Sequence, residues 1–370
     1  MRSISRSFVL SGLFGLVFAG ALCPTASGQG GRNSAQAIDR EIVTTTRPLS
    51  GTQSSQVTEF ADARLAELGD GDIGDLIEAR DTIIQDTRRP GVTGVFLRAY
   101  SNALVPGIRD ILEKSGSGDE LSAIRAENAL RILAYLRTSD AAELLVFANN
   151  PNRISDGGRR LVAAGLIPLA VEPVPQSGLN SGVLTSLARE ISNNLRDESD
   201  WLVALEDLRA MNAIALNPGM SKQNRAEVRS MQFQAYADLA NRIESSNEPS
   251  ELVFSIHRAM LGLRARLLDN ATSGDVSNRQ IAQTLRSMLV KIGDAAIKQW
   301  NGLEKNQRMY VAYEGTLRIG AQLLSLLQGR SDNAVDALAE PMNAALKARP
   351  GGPERDKALA NLKAAVKKLG

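Results

Sequence analysis

The chain has 370 residues, 43% of them hydrophobic, with 43 basic and 41 acidic side chains; setting Arg2 and Arg6 aside makes the two counts equal. A balanced chain lacks the basic excess with which proteins neutralise phosphate backbones, so nucleic acid is not an expected partner. One histidine and one cysteine leave no room for a Cys/His zinc site.

The N-terminus reads as a secretory signal peptide over residues 1–28. Arg2 and Arg6 precede an apolar run from Phe8 to Leu22, and small residues follow at Ala26, Ser27 and Gly28. Cleavage near Gly28 would place the mature protein in the periplasm or outside the cell and would remove Cys23, the chain's only thiol, excluding thiol nucleophiles. Lipidation of Cys23 is the alternative: Gly20 and Ala21 suit that motif, while Leu22 stands where a small residue is expected. The apolar run falls short of the roughly 20 residues that span a bilayer, and no later stretch of that length is free of charge, so no transmembrane segment is expected. Residues 29–55 are rich in Gly, Ser, Gln and Thr and are expected to form a disordered leader.

From about residue 56 the apolar spacing becomes helical and stays so. Trp201, Ala204, Leu205, Leu208, Met211 and Ala215 recur at steps of three and four, which gathers them on one helical stripe. Val228, Met231, Ala235, Leu239 and Ile243 repeat the pattern, as do Ile281, Leu285, Met288, Leu289 and Ile292, and again Tyr310, Tyr313, Leu317, Ala321, Leu324 and Leu327. About a dozen helices and no strand are expected, an all-α fold with antiparallel packing of neighbours joined by short connectors. Asp140 and Glu143 have the spacing of a capping box, and Pro249 and Pro353 sit where helices would begin. The stretch 173–182, rich in Pro, Gly and Ser, is expected to be a linker between residues 56–172 and residues 183–370.

Ile124-Arg125-Ala126-Glu127-Asn128-Ala129-Leu130-Arg131-Ile132-Leu133 resembles the first helix of a HEAT-type repeat, with Ala141 to Ala148 as its partner. Ala163-Ala164-Gly165-Leu166-Ile167-Pro168-Leu169 is similar to the armadillo pattern, in which a small-residue turn leads into an apolar helix. The resemblance implies an α-solenoid, helix pairs stacked so that one concave surface binds partners. It is centred on residues 120–170. Helix starts lie roughly 16 to 30 residues apart with no fixed period, so the solenoid would be irregular, and residues 183–370 either continue it or form a second helical domain.

Chemistry is sparse. The nucleophile elbow, the S-x-x-K motif and the Walker phosphate loop are all missing. His257 projects off the stripe of Leu252, Ile256, Met260, Leu263 and Leu267 and reads as a hydrogen-bonded packing residue between helices. Asp70, Asp72 and Asp81 faintly resemble a calcium loop, but Gly74 and Asp75 occupy the fifth and sixth positions, where an oxygen ligand and a glycine are wanted; these acids read better as caps of the next helix. Acids crowd residues 59–86 and bases crowd residues 347–368, an asymmetry read as solvated faces. Paired carboxylates are the catalytic chemistry the composition permits, with Glu190, Glu206, Glu244, Glu251 and Glu314 conceivable, although one sequence does not bring two of them together. No catalytic, cofactor-binding or metal residue is singled out and no cofactor is expected. The expected function is an exported, non-enzymatic helical scaffold that binds a protein or cell-envelope component; a carboxylate-dependent helical hydrolase of the envelope is the alternative.

Overall fold

The computed structural model describes residues 38–69, 71–115, 119–269, 278–328, 338–348 and 350–369. These residues form sixteen helices and no strand. In chain order they are α1 (Arg40–Thr44), α2 (Gly51–Gly69), α3 (Ile73–Thr87), α4 (Gly94–Lys114), α5 (Glu120–Leu136), α6 (Ser139–Ala148), α7 (Gly157–Ala170) and α8 (Ser181–Asp197). Then follow α9 (Trp201–Leu216), α10 (Lys222–Ser245), α11 (Leu252–Asp269), α12 (Asn278–Lys298), α13 (Trp300–Leu303), α14 (Gln307–Gln328), α15 (Ala339–Lys347) and α16 (Pro353–Leu369). The expected signal peptide over residues 1–28, with Cys23, and residues 29–37 of the expected leader lie outside the described residues.

Each of the helices α2 to α10 packs on the helix two places along, and beyond them α11 packs on α14 and α12 on α16, so the array has two layers. One contains α3, α5, α7, α9, α11 and α14; the other contains α2, α4, α6, α8, α10, α12 and α16. Sequential neighbours meet across the layers, α4 on α5, α5 on α6, α6 on α7, and α9 on α8 and α10. The stripes read from the sequence are the surfaces that meet: Ala204, Leu205, Leu208, Met211 and Ala215 are all buried, as are Ile281, Leu285, Met288, Leu289 and Ile292. Small residues allow close approach. A Cβ at Gly320 of α14 would collide with the Leu289 side chain of α12.

Helix starts follow the chemistry of free backbone donors. Asp39, Asp72, Thr93, Asp119, Asp156, Asn180, Asp200 and Ser221 each accept a backbone N–H of the helix they precede, each worth about 1 kcal/mol. Asp72 and Asp75 form a full capping box at α3, as expected for these acids. Pro353 opens α16, while Pro249 lies three residues ahead of α11.

Four expectations are corrected. The leader is folded from residue 38: Ile38, Ile42 and Val43 are buried, α1 packs on α4, and the Thr93 hydroxyl donates to Thr45 O at 2.6 Å. Three apolar residues suffice there because the surface of α4 covers them. Residues 50–55 open α2, with Ser50 and Gln53 exchanging backbone and side-chain hydrogen bonds of 3.0 and 3.3 Å. Asp140 and Glu143 do not cap: the N-cap of α6 is Thr138, whose hydroxyl is drawn away to Ser101 at 2.6 Å. Gly165 makes no turn, since α7 runs through it and through Pro168 without a break. The stretch 173–182 separates no domains, because residues 36–370 form one compact unit. Val171 and Ser177 in this connection are buried, Asn217 Nδ2 donates to Val171 O at 2.6 Å, and the Pro175 carbonyl sits so close to Gly94 that a Cβ there would collide with it.

Candidate functional site

Between the end of α4, the start of α5 and the α6–α7 connection, the helix ends leave a cavity of about 690 Å³, within the range of pockets that enclose a small ligand. The final turns of α4, the first half of α5, the end of α6 and the start of α7 all contribute. Its floor is apolar and buried, made by Leu112, Ala126, Leu130 and Leu144, and half-buried Ile124, Phe147, Ile154 and Val162 form the walls. Their helical spacing places these residues together: Ala126 and Leu130 lie one turn apart on α5, Leu144 and Phe147 one turn apart on α6.

Arginines line the cavity beside this apolar surface. Arg109 and Arg153 both approach Phe147, their guanidinium carbons 5.4 and 4.5 Å from the ring centre, an attraction between cation and ring face. Arg159 Nη1 donates to the Ser115 hydroxyl at 2.8 Å. Its Nε is buried without a hydrogen-bond partner, and burial pulls the group below the usual arginine range, with Asp156 countering in part. None of these three arginines has a carboxylate in ion-pair contact among the described residues. The acids on the lining are differently engaged: Glu127 pairs with Arg131 at 2.6 Å, Asp156 accepts the Gly158 N–H at 2.9 Å, and Glu113 and Glu120 are exposed.

The wall between α6 and α7 is held from behind by a buried ion pair. Arg160 grips Glu198 through two bonds of 2.8 and 3.1 Å, and its Nη1 donates to Ile154 O and Ser155 O at 2.7 and 3.0 Å. Arg242 Nη1 donates to the Glu198 carbonyl at 2.7 Å. The cavity wall is therefore tied across both layers, through α7, the α8–α9 connection and α10, and its shape is set before any occupant arrives. Arg109 also borders a second hollow of about 420 Å³ with Asp110, Asp140 and Glu143, where burial and the charge of Asp140 raise the Glu143 carboxyl.

The residues considered from the sequence lie elsewhere. His257 is half-buried between α11 and α14, its ring close against Gly315; burial and the nearby Arg318 lower its pKa. Asp72 is occupied by its cap, Asp81 pairs with Arg80 at 2.7 Å, and Asp70 falls outside the described residues. Among the described residues no cluster of three His, Cys, Asp or Glu side chains is placed to hold a metal. Glu206 pairs with Arg209, Glu244 with Lys291 at 3.6 Å and Glu314 with Arg318 at 3.5 Å, while Glu190 and Glu251 are exposed; none of the five lines the cavity. Arg109, Phe147, Arg153 and Arg159 were not legible as a site. The available signal was Arg159-Arg160 near the start of an otherwise apolar helix, and a half-exposed phenylalanine among alanines and leucines.

No protein-family model matches this chain, and neither curated proteins nor solved structures provide a match.

Proposed function

We propose that the protein is an exported, non-enzymatic helical scaffold that captures a protein or cell-envelope partner through the cavity between α4 and α7. The observation that carries this reading is a preshaped hollow with an apolar floor and an Arg–Phe–Arg wall. Aromatic and arginine side chains at the edge of a desolvated pocket are the usual anchors of recognition. Packing of each of the helices α2 to α10 on the helix two places along is also an arrangement in which α-solenoids present binding surfaces. Export is supported by the pattern of Arg2, Arg6 and the run from Phe8 to Leu22.

The hydrolase alternative draws less support. It needs a desolvated carboxylate facing another across a cleft, whereas the fully buried Asp207 and Glu198 are held in the core by Asn149 and Arg160, and Glu143 beside Asp140 is exposed.

Affinity capture from an envelope extract tests the reading, with Ile124→Glu placing a charge on the cavity wall and Leu261→Glu as a control on the exposed surface of α11. The expected result is that a partner retained by the native protein and by Leu261→Glu is lost with Ile124→Glu. Retention by both variants would contradict the assignment of binding to this cavity.

A further inference from the structure

Resting on the cavity reading above, the geometry points to a specific occupant: we propose that the cavity binds a single-chain amphiphile with a carboxylate head, its chain over the Leu112, Leu130 and Leu144 floor and its head against Arg159. Three features of the site select this chemistry. The lining helices bond their own backbone groups internally, so the cavity offers no free strand edge along which an extended peptide could pair. An apolar chain needs no such partners, and a floor of leucines rewards it in proportion to the area it covers. The charge requirement is equally specific. Arg159 is half-buried, with one hydrogen bond, to Ser115, and no carboxylate in ion-pair contact among the described residues.

A guanidinium in this condition is completed by a planar two-oxygen anion, which accepts two parallel N–H bonds. Arg109 and Arg153 add positive potential beside Phe147. Of the opposing acids, Glu127 is neutralised by Arg131, Asp156 is engaged at the helix start, and Glu113 and Glu120 stand in water, where salt screens them. The lining acids are thus paired, engaged or exposed, while Arg109 and Arg159 are half-buried and have no ion-paired carboxylate among the described residues. Its volume of about 690 Å³ admits a medium-length hydrocarbon chain and its head group.

Calorimetric titration of the purified protein with dodecanoate below its micellar concentration, and with dodecyltrimethylammonium as the matched cation, tests the assignment. Expected are one saturable site for dodecanoate, none for the cation, and a loss of affinity of about tenfold in Arg159→Gln, the effect of removing one charge-assisted bond pair. Arg153→Gln, on an exposed side chain, supplies a second variant if Arg159→Gln unfolds, and it should weaken binding in the same direction. The inference is overturned if dodecanoate does not bind, if the cation binds equally well, or if neither arginine variant lowers affinity. Partner capture that depends on Ile124 together with silence toward dodecanoate would remove the amphiphile alone; loss of both results would remove the cavity as a binding site.

Discussion

Buried charge marks the residues whose substitution should be most informative. Arg160 and Glu198 are 8% and 1% exposed, and each satisfies the other while Arg160 also holds two carbonyls of the cavity wall. Removing one member strands the other, so Arg160→Ala is expected to destabilise the fold by about 3–5 kcal/mol. The double replacement Arg160→Met with Glu198→Leu should be less damaging than Arg160→Ala, because no unpaired charge remains. Urea denaturation of the variants decides this; equal losses would mean that the lost carbonyl bonds, and not the stranded carboxylate, dominate.

Asp207 makes a pH prediction. It is wholly buried, with Asn149 donating to one oxygen and the other oxygen unpartnered, and burial raises its pKa well above the ordinary aspartate value. A raised folded-state pKa means that the native state holds this proton more tightly than the unfolded chain does. Its contribution is complete below about pH 3.9 and is lost as pH rises through the folded value. Asp207→Asn, which keeps the shape and needs no proton, should therefore gain stability relative to the native protein as pH increases. A constant difference in urea midpoint across that window would show that Asp207 is ionised in the fold. Neither buried group was foreseen from the sequence, because an acid at helical spacing looks alike whether its partner is solvent or a side chain many residues away.

At the level of helices, what could be read depended on how local the physics is. Stripes on α9, α10, α12 and α14 were legible because burial of one face leaves a periodic mark, and the capping role of Asp72 was legible because a cap acts within three residues. The assignment of a capping box to Asp140 failed for a nonlocal reason: Thr138 precedes α6, and the fold spends its hydroxyl on Ser101 of α4. The same limit hid the role of the connection 173–182, whose Pro and Ser content suggests a linker while Gly94 gives it a place to lie against α4. Gly94 is accordingly predicted to resist enlargement. Gly94→Ala should destabilise by about 1–3 kcal/mol through forced displacement of the Pro175 carbonyl; an unchanged melting temperature would show that the connection yields without penalty.

Across the whole array, the ordering of helices into layers was beyond reach from one sequence, since the spacing of helix starts has no fixed period and nothing local says which stripe covers which. Once the layers are known, they imply how a disturbance should travel. Every helix of the α2–α9 region packs on the helix two places along, with further contacts between sequential neighbours such as α4–α5, α5–α6 and α6–α7, and no major contact runs from there to the far end. Stability in such an arrangement is approximately a sum of neighbour terms. Leu133→Ala, at a fully buried position on α5, should remove about 2–5 kcal/mol locally. Hydrogen exchange measured by mass spectrometry should then show protection falling most in α3 to α7, less in α8 and α9, and little in α12 and α16. Uniform loss along the chain would mean that the residues 36–370 unit opens only as a whole, and that its continuous core couples the helices more strongly than their stacking order suggests.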